Sequence, residues 1–281
     1  MLALGLVVPL LLAAAPAPVF LSIDEAAPLV AGDAVVLDAR GAFAEAPYLP
    51  RARVVDWMRL RDGLARTGRL ADDAALLAAF AQLGVTDARP VLVYGAADRG
   101  WGEEGRIWWT LRYLGHPRVY IIDGGVQAWV AAGRPTMGHP EPGRGVEAWR
   151  PQRQERLQAS RSEVGDAARR RDVSVLDTRS DAEFRGATPY FSSRGGHVPG
   201  ALHLEWRALL AEDGRLLPRA ELERRVAAAG LRRDQRIIAY CTGGVRSAFV
   251  VAVLAHLGFP DAANYAGSWW DWSADERLPV E

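Results

Sequence analysis

Cys241 is the only cysteine of the chain, and its neighbours are of the kinds that activate a thiol. The apolar run at residues 237–240 predicts a buried strand directly before it, and apolar residues at helical spacing over 247–257 predict a helix after it. Two adjacent glycines between these elements let the backbone turn with its N–H groups facing inward, and the helix adds the positive end of its dipole. We therefore predict an anion-binding cradle in which Cys241 is shifted toward its nucleophilic thiolate with help from Arg246.

A single cysteine is most often a small buried apolar residue, and that alternative requires no particular flanking residues. Here two glycines, an arginine and a helix start lie within a few residues of Cys241, which favours a nucleophile. Arg246 is interpreted as a group that binds an anionic substrate or holds the loop, the alternative being an arginine that only caps carbonyl groups. The predicted catalytic residue is Cys241, and the predicted substrate-binding loop consists of Thr242, Gly243, Gly244, Val245, Arg246 and Ser247.

The elements around this loop belong to an internal repeat on the scale of a domain. The matching segments lie 139 to 146 residues apart. They pair Asp38-Ala39-Arg40 with Asp177-Thr178-Arg179, residues 91–94 with 237–240, and Gly124 and Trp129 with Gly267 and Trp272. We conclude that the two halves are copies of one unit, of which the second carries the cysteine.

Within each copy, short apolar strands alternate with helical patterns. The predicted strands are residues 35–37, 91–94 and 119–122 in the first copy and 173–176, 237–240 and 262–265 in the second, and the predicted helices include 74–83 and 221–229. Strands that alternate with helices indicate a parallel sheet. The predicted fold class is therefore α/β, with each copy a parallel sheet covered by helices on both faces.

The sequence divides into four segments. Residues 1–18 begin with an apolar run and end in small residues, a pattern typical of a secretory signal peptide, which predicts a periplasmic or secreted protein. The alternatives are a mis-chosen start codon or a buried strand, and then a cytoplasmic protein. We place the N-terminal domain at 19–137, a linker rich in proline and glycine at 138–155, and the C-terminal catalytic domain at 156–281.

Composition limits the classes of function. The 281 residues, 49% of them hydrophobic, suffice for two domains with cores of their own. The formal net charge is zero and no basic stripe occurs, which argues against a nucleic-acid partner. A single cysteine excludes an intramolecular disulfide and a thiolate metal cluster, and no metal site is predicted. No stable association with a membrane is expected once the signal peptide is removed, and the oligomeric state is left open.

Four motifs resemble those of the rhodanese sulfurtransferases, and the resemblance covers most of the chain. They are Val175-Leu176-Asp177-Thr178-Arg179 with Glu183-Phe184-Arg185-Gly186, then Gly196-His197-Val198-Pro199-Gly200-Ala201, then the loop Tyr240-Cys241-Thr242-Gly243-Gly244-Val245-Arg246-Ser247, and finally Tyr265-Ala266-Gly267-Ser268-Trp269 with Trp272. The resemblance implies two tandem rhodanese-like domains, the first of them inactive.

The resemblance also implies a reaction. The Cys241 thiolate would take a sulfur atom from a small donor, thiosulfate or 3-mercaptopyruvate, as a persulfide and pass it to cyanide or a thiol acceptor without a cofactor. The donor stays open, because the two residues after the cysteine match neither donor-specific loop and Glu183 stands where such members place a donor-binding arginine. Arg246 is then the only cation in these motifs expected close to Cys241. Asp177 and Arg179 are expected to form a structural ion pair, with donor binding as the alternative.

The corresponding loop of the first half lacks the nucleophile. Gly95 occupies the place of Cys241, and the loop is three residues longer. It also carries three carboxylates, Asp98, Glu103 and Glu104, whose charge would oppose a thiolate or an anionic substrate. The first half is therefore predicted to pack against the second and to form one wall of the active-site cleft.

Two functions of other classes remain as alternatives. Related folds use a cysteine-arginine loop in phosphatases and arsenate reductases, but their loop is one residue longer than the four residues that separate Cys241 from Arg246. A tighter loop suits a smaller sulfur centre. The other alternative is a non-enzymatic sulfur carrier or binding module, in which Cys241 holds a persulfide for a dedicated partner. Turnover with small donors distinguishes such a carrier from an enzyme.

Overall fold

The structure, a computed structural model, describes residues 18–63, 67–167 and 169–281. The predicted signal peptide falls on residues outside this range, apart from Pro18, and stays a prediction. None of the helices in the described part of the chain combines the length and the apolar composition that a membrane crossing requires.

The first half forms a five-stranded sheet with four α-helices. The strands are β1 (Phe20–Leu21), β2 (Val35–Asp38), β3 (Ala52–Val54), β4 (Val91–Tyr94) and β5 (Val119–Ile122). The helices are α1 (Ile23–Ala31), α2 (Asp73–Gln82), α3 (Glu103–Tyr113) and α4 (Gly125–Ala131). All strands pair in parallel, in the order β1-β5-β4-β2-β3. The loop that follows β4 thus opens at the carboxyl edge of the sheet, where parallel α/β sheets place their ligand sites.

The second half repeats this arrangement with four strands. The strands are β6 (Val173–Asp177), β7 (Leu202–His203), β8 (Arg236–Tyr240) and β9 (Ala262–Asn264). The helices are α5 (Arg161–Ala167), α6 (Asp181–Phe184), α7 (Arg219–Ala228), α8 (Arg246–His256) and α9 (Ser268–Ser273). The parallel order is β7-β6-β8-β9, and Gln158 adds one parallel bridge beside β9, where the first half has β1. The central strand β8 leads directly into the cysteine loop.

The predicted α/β fold with covered sheets is confirmed. Alternate residues of each strand face opposite sides, so that Val36 of β2 packs with α1 and α4 while Leu37 packs with α2 and α3. The core on the α3 and α8 side runs through both halves. The two helices approach closely, because a side chain at Gly105 of α3 would overlap the backbone of Phe249 in α8. The two sheets are therefore joined through their equivalent helices.

The stretch predicted as a linker is extended and packs against the first half. Residues 138–154 contain no helix or strand, and a short 3₁₀ helix follows at Glu155–Leu157. Trp149 is buried, and the backbone N–H of Gln152 donates to the carbonyl of Leu114. The segment boundaries themselves stay a prediction.

Both halves contain the same buried polar cluster at the carboxyl end of the sheet. In the second half, Asp177 forms an ion pair with Arg179 at 2.6 Å and accepts a hydrogen bond from the Tyr240 hydroxyl at 2.7 Å. The first half has the same Asp–Arg–Tyr cluster, formed by Asp38, Arg40 and Tyr94. The repeat read from the sequence is thus present in three dimensions.

Candidate active site

Cys241 lies in the loop between β8 and α8, where α3 of the first half packs against α8 of the second. Its side chain is almost completely buried, with 1% of its surface exposed. The backbone N–H of Gly244 donates to its Sγ at 3.1 Å. Gly244 has a φ of +78°, a conformation that L side chains rarely adopt, which explains the second glycine of the loop. The predicted inward N–H group is therefore present on the sulfur.

The carbonyl groups of the loop point away from the sulfur because α9 binds them. The carbonyl of Cys241 accepts a hydrogen bond from the backbone N–H of Trp269 at 2.9 Å, and the carbonyl of Thr242 accepts one from the backbone N–H of Trp270 at 3.0 Å. The Cys241 N–H donates to the Ser268 hydroxyl at 3.1 Å. With its carbonyls held in this way, the loop presents N–H groups to the interior, as an anion cradle requires.

The surroundings favour the thiolate form of Cys241. Burial alone would raise the pKa of the thiol, because it disfavours the charged form. The positive charge of Arg246 and hydrogen bonds from Ser247 and Gly243 outweigh burial, and the pKa of Cys241 is lowered overall. A thiol whose pKa is lowered ionises to the nucleophilic thiolate more readily than an ordinary cysteine.

Arg246 does not cap loop carbonyls, as one alternative had it, but binds a carboxylate. Its guanidinium donates to both carboxylate oxygens of Glu183, at 2.7 and 2.8 Å, and to the Thr242 hydroxyl. Burial acts to raise the pKa of Glu183, but hydrogen bonds and charge from Arg246 lower it from 4.5 to about 2. Glu183 is thus a carboxylate whose charge compensates that of Arg246.

Aromatic rings from both halves lie beside Arg246. Trp101 of the first half meets Tyr190 of the second edge to face, with ring centroids 5.2 Å apart. The guanidinium carbon of Arg246 lies 5.6 Å from the centroid of Trp101 and 5.8 Å from that of Tyr190. Trp270 donates to the carbonyl of Tyr190 and packs beside Gly243. The prediction that the first half packs against the second is confirmed, and Trp101 brings the first half beside the cysteine loop.

The remaining predicted site residues have structural contacts. Asp177 and Arg179 form the buried ion pair described above, and Arg179 also donates to the carbonyl of Gly196. The Ser247 hydroxyl donates to Asn264 Oδ1 at 2.7 Å, and Val245 is buried. Among the described residues no group of three or more acidic, histidine or cysteine side chains could hold a metal ion.

The first half places a second cation beside the loop, which the sequence motifs did not predict. Arg106 of α3 is completely buried and donates to the carbonyls of Gly244 and Gly68. The prediction that named Arg246 covered only the sequence motifs, and Arg106 lies outside them. No motif marked Arg106, although the glycine at 105 is a signal that α3 approaches another backbone closely.

In the first half, a side chain fills the place that a cysteine would occupy. A Cβ atom added to Gly95 would overlap the carboxyl group of Glu104. Burial raises the pKa of Glu104 to about 8, so at neutral pH this group is mostly uncharged. The expectation that carboxylate charge opposes a thiolate here is therefore wrong for Glu104, which obstructs the position by its bulk.

Comparison with known proteins identifies the family. The Rhodanese-like domain matches residues 22–132 and again 160–275. A thiosulfate sulfurtransferase of Azotobacter vinelandii is 31% identical over 92% of this chain and 94% of its own length. A probable 3-mercaptopyruvate sulfurtransferase of Pseudomonas aeruginosa is 32% identical over 91% and 94%, and a sulfur carrier protein of Thermus thermophilus is 31% identical over 83% and 85%. With matches in both halves and over most of its length, the chain belongs to the rhodanese family.

Proposed function

We propose that the protein is a sulfurtransferase in which Cys241 carries the transferred sulfur as a persulfide. The observation that carries this proposal is the buried sulfur of Cys241, which accepts the Gly244 N–H and lies beside the cation Arg246. This environment stabilises a thiolate before transfer and the equally anionic persulfide after it. Relatives named as thiosulfate and 3-mercaptopyruvate sulfurtransferases support the same reaction class.

Each half-reaction is balanced without a cofactor. With thiosulfate, the Cys241 thiolate attacks the outer sulfur, the sulfur–sulfur bond of the donor breaks, and sulfite leaves with the bonding electron pair. With 3-mercaptopyruvate, the carbon–sulfur bond breaks and the proton of the donor thiol ends on the carbon of pyruvate. In the second half-reaction, cyanide or a thiolate attacks the outer persulfide sulfur and restores the Cys241 thiolate.

The donor class follows from the charge of the site. The loop offers N–H groups and the cation Arg246, whose charge Glu183 partly compensates, and aromatic rings lie beside Arg246. A small anion with a compact sulfur centre suits this loop best. Thiosulfate and 3-mercaptopyruvate both meet this description. Intact mass measured after exposure to each donor separately decides between them, because each productive donor adds the mass of one sulfur atom.

The matched control is Cys241→Ser, which keeps the size of the side chain but replaces the thiolate by a poor nucleophile. We expect the wild-type protein to gain one sulfur atom with at least one donor, to lose it on addition of cyanide, and the serine variant to gain none while keeping its circular dichroism spectrum. Sulfur on the serine variant, or none on the wild type with either donor, would refute the proposal.

A sulfur carrier is the second candidate, supported by the similarity to the Thermus thermophilus carrier protein. A carrier would take up one sulfur atom on Cys241 but would release it slowly to small acceptors. Multiple turnovers of thiocyanate formation with cyanide therefore favour the enzyme, and a single stoichiometric sulfur without turnover favours the carrier.

We further propose that residues 1–18 direct export and that the protein works in the periplasm or outside the cell. The support is the apolar composition of this segment. Cell fractionation followed by N-terminal sequencing tests the proposal: we expect the protein in the exported fraction with its first residue after the apolar run.

A further inference from the structure

Arg106 contacts the cysteine loop from the other half of the molecule. Its Nη1 donates to the carbonyl of Gly244 at 3.1 Å, and its Nη2 donates to the carbonyl of Gly68 at 2.5 Å. The side chain is completely buried, and its Nε has no hydrogen-bond partner among the described residues. A buried guanidinium bound only to carbonyls costs more free energy than one paired with a carboxylate, so its presence calls for an explanation.

The residue that Arg106 holds is the one that binds the sulfur. Gly244 donates its N–H to Cys241 Sγ, and its carbonyl accepts from Arg106 and also from Asn264 Nδ2 at 3.1 Å. One donor thus comes from each half of the molecule. Together they hold the peptide group that follows Gly244, next to the peptide group whose N–H reaches the sulfur.

The charge of Arg106 lies close to the sulfur and lacks a carboxylate partner. None of the carboxylates in the described ranges forms an ion pair with it, and its favourable electrostatic partner is Cys241. Burial lowers the pKa of Arg106 to about 9, and the Cys241 thiolate acts in the opposite direction. Arg106 is therefore a cation at neutral pH, and a thiolate or persulfide offsets its burial.

The internal repeat provides a comparison inside the molecule. The residue equivalent to Arg106 in the second half is Phe249, 143 residues later. Phe249 packs against Gly102 and Gly105, next to the first-half loop that has glycine in place of the cysteine. The loop with a cysteine thus receives an arginine from the opposite half, and the loop without one receives a phenyl ring.

We propose that Arg106 is a positioning residue through which the first half orients Gly244 and supplies positive charge to the sulfur of Cys241. This inference deepens the proposed sulfur transfer and rests on it. The first half then contributes directly to the chemistry of the second, although it has no nucleophile. Among the described residues, three charged side chains act on the sulfur: Arg246 from α8, Arg106 from α3, and Glu183 from α6 through its ion pair with Arg246.

The test compares the reactivity of the single thiol in four variants and the wild-type protein. Arg106→Met and Arg106→Gln remove the charge, the second keeping a hydrogen-bond donor, and Arg106→Lys keeps the charge. The matched control is Arg112→Met on the same helix, because Arg112 also donates only to backbone carbonyls in the hydrogen bonds of the described structure, those of His116 and Pro117. The rate of alkylation by iodoacetamide is measured against pH, with thermal unfolding to compare stability.

We expect both neutral variants to raise the pKa of Cys241 by about one unit, which slows alkylation near neutral pH about tenfold. Arg106→Lys should keep most of the wild-type reactivity, and Arg112→Met should keep all of it even where it unfolds at a lower temperature. The kcat for sulfur transfer should fall in the same order as the thiol reactivity.

The two proposals fail in different ways. If the pKa of Cys241 is unchanged in a neutral Arg106 variant that folds, while the wild type still forms the persulfide, the role of Arg106 is overturned and the sulfur transfer is not. An equal loss of reactivity in Arg112→Met also overturns it, because the effect is then one of stability. A wild-type protein that forms no persulfide with either donor refutes the sulfur transfer, and the thiol pKa comparison stands independently of that result.

Discussion

The carboxylate of Glu183 and the guanidinium of Arg246 face each other in a two-pronged ion pair, with hydrogen bonds of 2.7 and 2.8 Å. The pair is buried and lies beside the nucleophile, since Arg246 begins the helix after the cysteine loop. Its two charges largely cancel at a distance. The stabilisation of an anionic donor therefore depends on backbone N–H groups and on Arg106 as well as on Arg246.

Replacement of Arg246 by alanine should lower kcat/KM for thiosulfate by roughly ten- to a hundredfold, because a charge-assisted contact is worth about 1.5–3 kcal/mol. The loss also leaves Glu183 as an unpaired negative group beside Cys241. Arg246→Lys should recover part of the activity, since a point charge cannot reproduce the planar fork. The measurement is a steady-state thiosulfate:cyanide assay with circular dichroism as the folding control; an alanine variant as active as the wild type would show that Arg246 is not needed at the site.

The ion pair also predicts how stability depends on pH. The pKa of Glu183 is lowered in the folded protein to about 2, so the stabilisation it provides is fully present above its ordinary value of 4.5 and is lost as the pH falls toward about 2. Glu183→Gln has no such proton to gain. From about pH 6 to about pH 3, the free energy of unfolding in urea should fall less in this variant than in the wild type. Parallel curves for the two proteins would contradict the assignment, because all other carboxylates are common to both.

Introduction of a cysteine at Gly95 should not create a second sulfur-carrying centre. The new side chain would overlap the carboxyl group of Glu104, which already occupies that space. The experiment uses Gly95→Cys in the Cys241→Ser background, so that the new thiol is the only one in the protein. We expect no added sulfur after exposure to thiosulfate and a lower unfolding temperature than that of Cys241→Ser alone. One sulfur atom on the double variant would disprove the steric argument.

A substitution in the first half that removes no charged group, Gly68→Ala, should also impair the cysteine loop. A methyl group at Gly68 would overlap the carbonyls of Gly243 and Ala266, which are backbone atoms and must shift. We expect Gly68→Ala to lose about 1–3 kcal/mol of stability and most of its sulfur transfer. Gly63→Ala is the matched control, because a Cβ there meets no atom of the described residues within 4 Å. Equal activity of the two variants would show that the loop tolerates displacement.

The strands that lead to the site could be predicted because each of them is an uninterrupted run of apolar residues in the sequence. For β4 and β8 the prediction was correct to within one residue. The edge strands β1, β3 and β7 were not predicted, since they are only two or three residues long and too short to show an alternation of apolar and polar residues. Such strands are defined by the neighbour with which they pair, which a single sequence does not reveal.

The cysteine loop could be predicted because its residues are neighbours in the chain. Arg106 could not, because it reaches the loop from a segment 138 residues before Gly244. Its position depends on how closely α3 and α8 pack, which Gly105 of α3 indicates only once the structure is known. The role of Glu183 was also beyond sequence reasoning, which noted an absent arginine there but had no means to pair the carboxylate with Arg246.

The Asp–Arg–Tyr cluster is present in both halves, although only one of them carries a nucleophile. The half without a cysteine keeps all three residues, with the same ion pair and the same tyrosine hydroxyl on the aspartate. In the first half the cluster joins the ends of β2 and β4 beside a loop that has no nucleophile, so there it serves the fold and not a reacting group. The contacts that the two halves share thus belong to the fold, whereas the nucleophile stands at a position where the halves differ, Gly95 in one and Cys241 in the other.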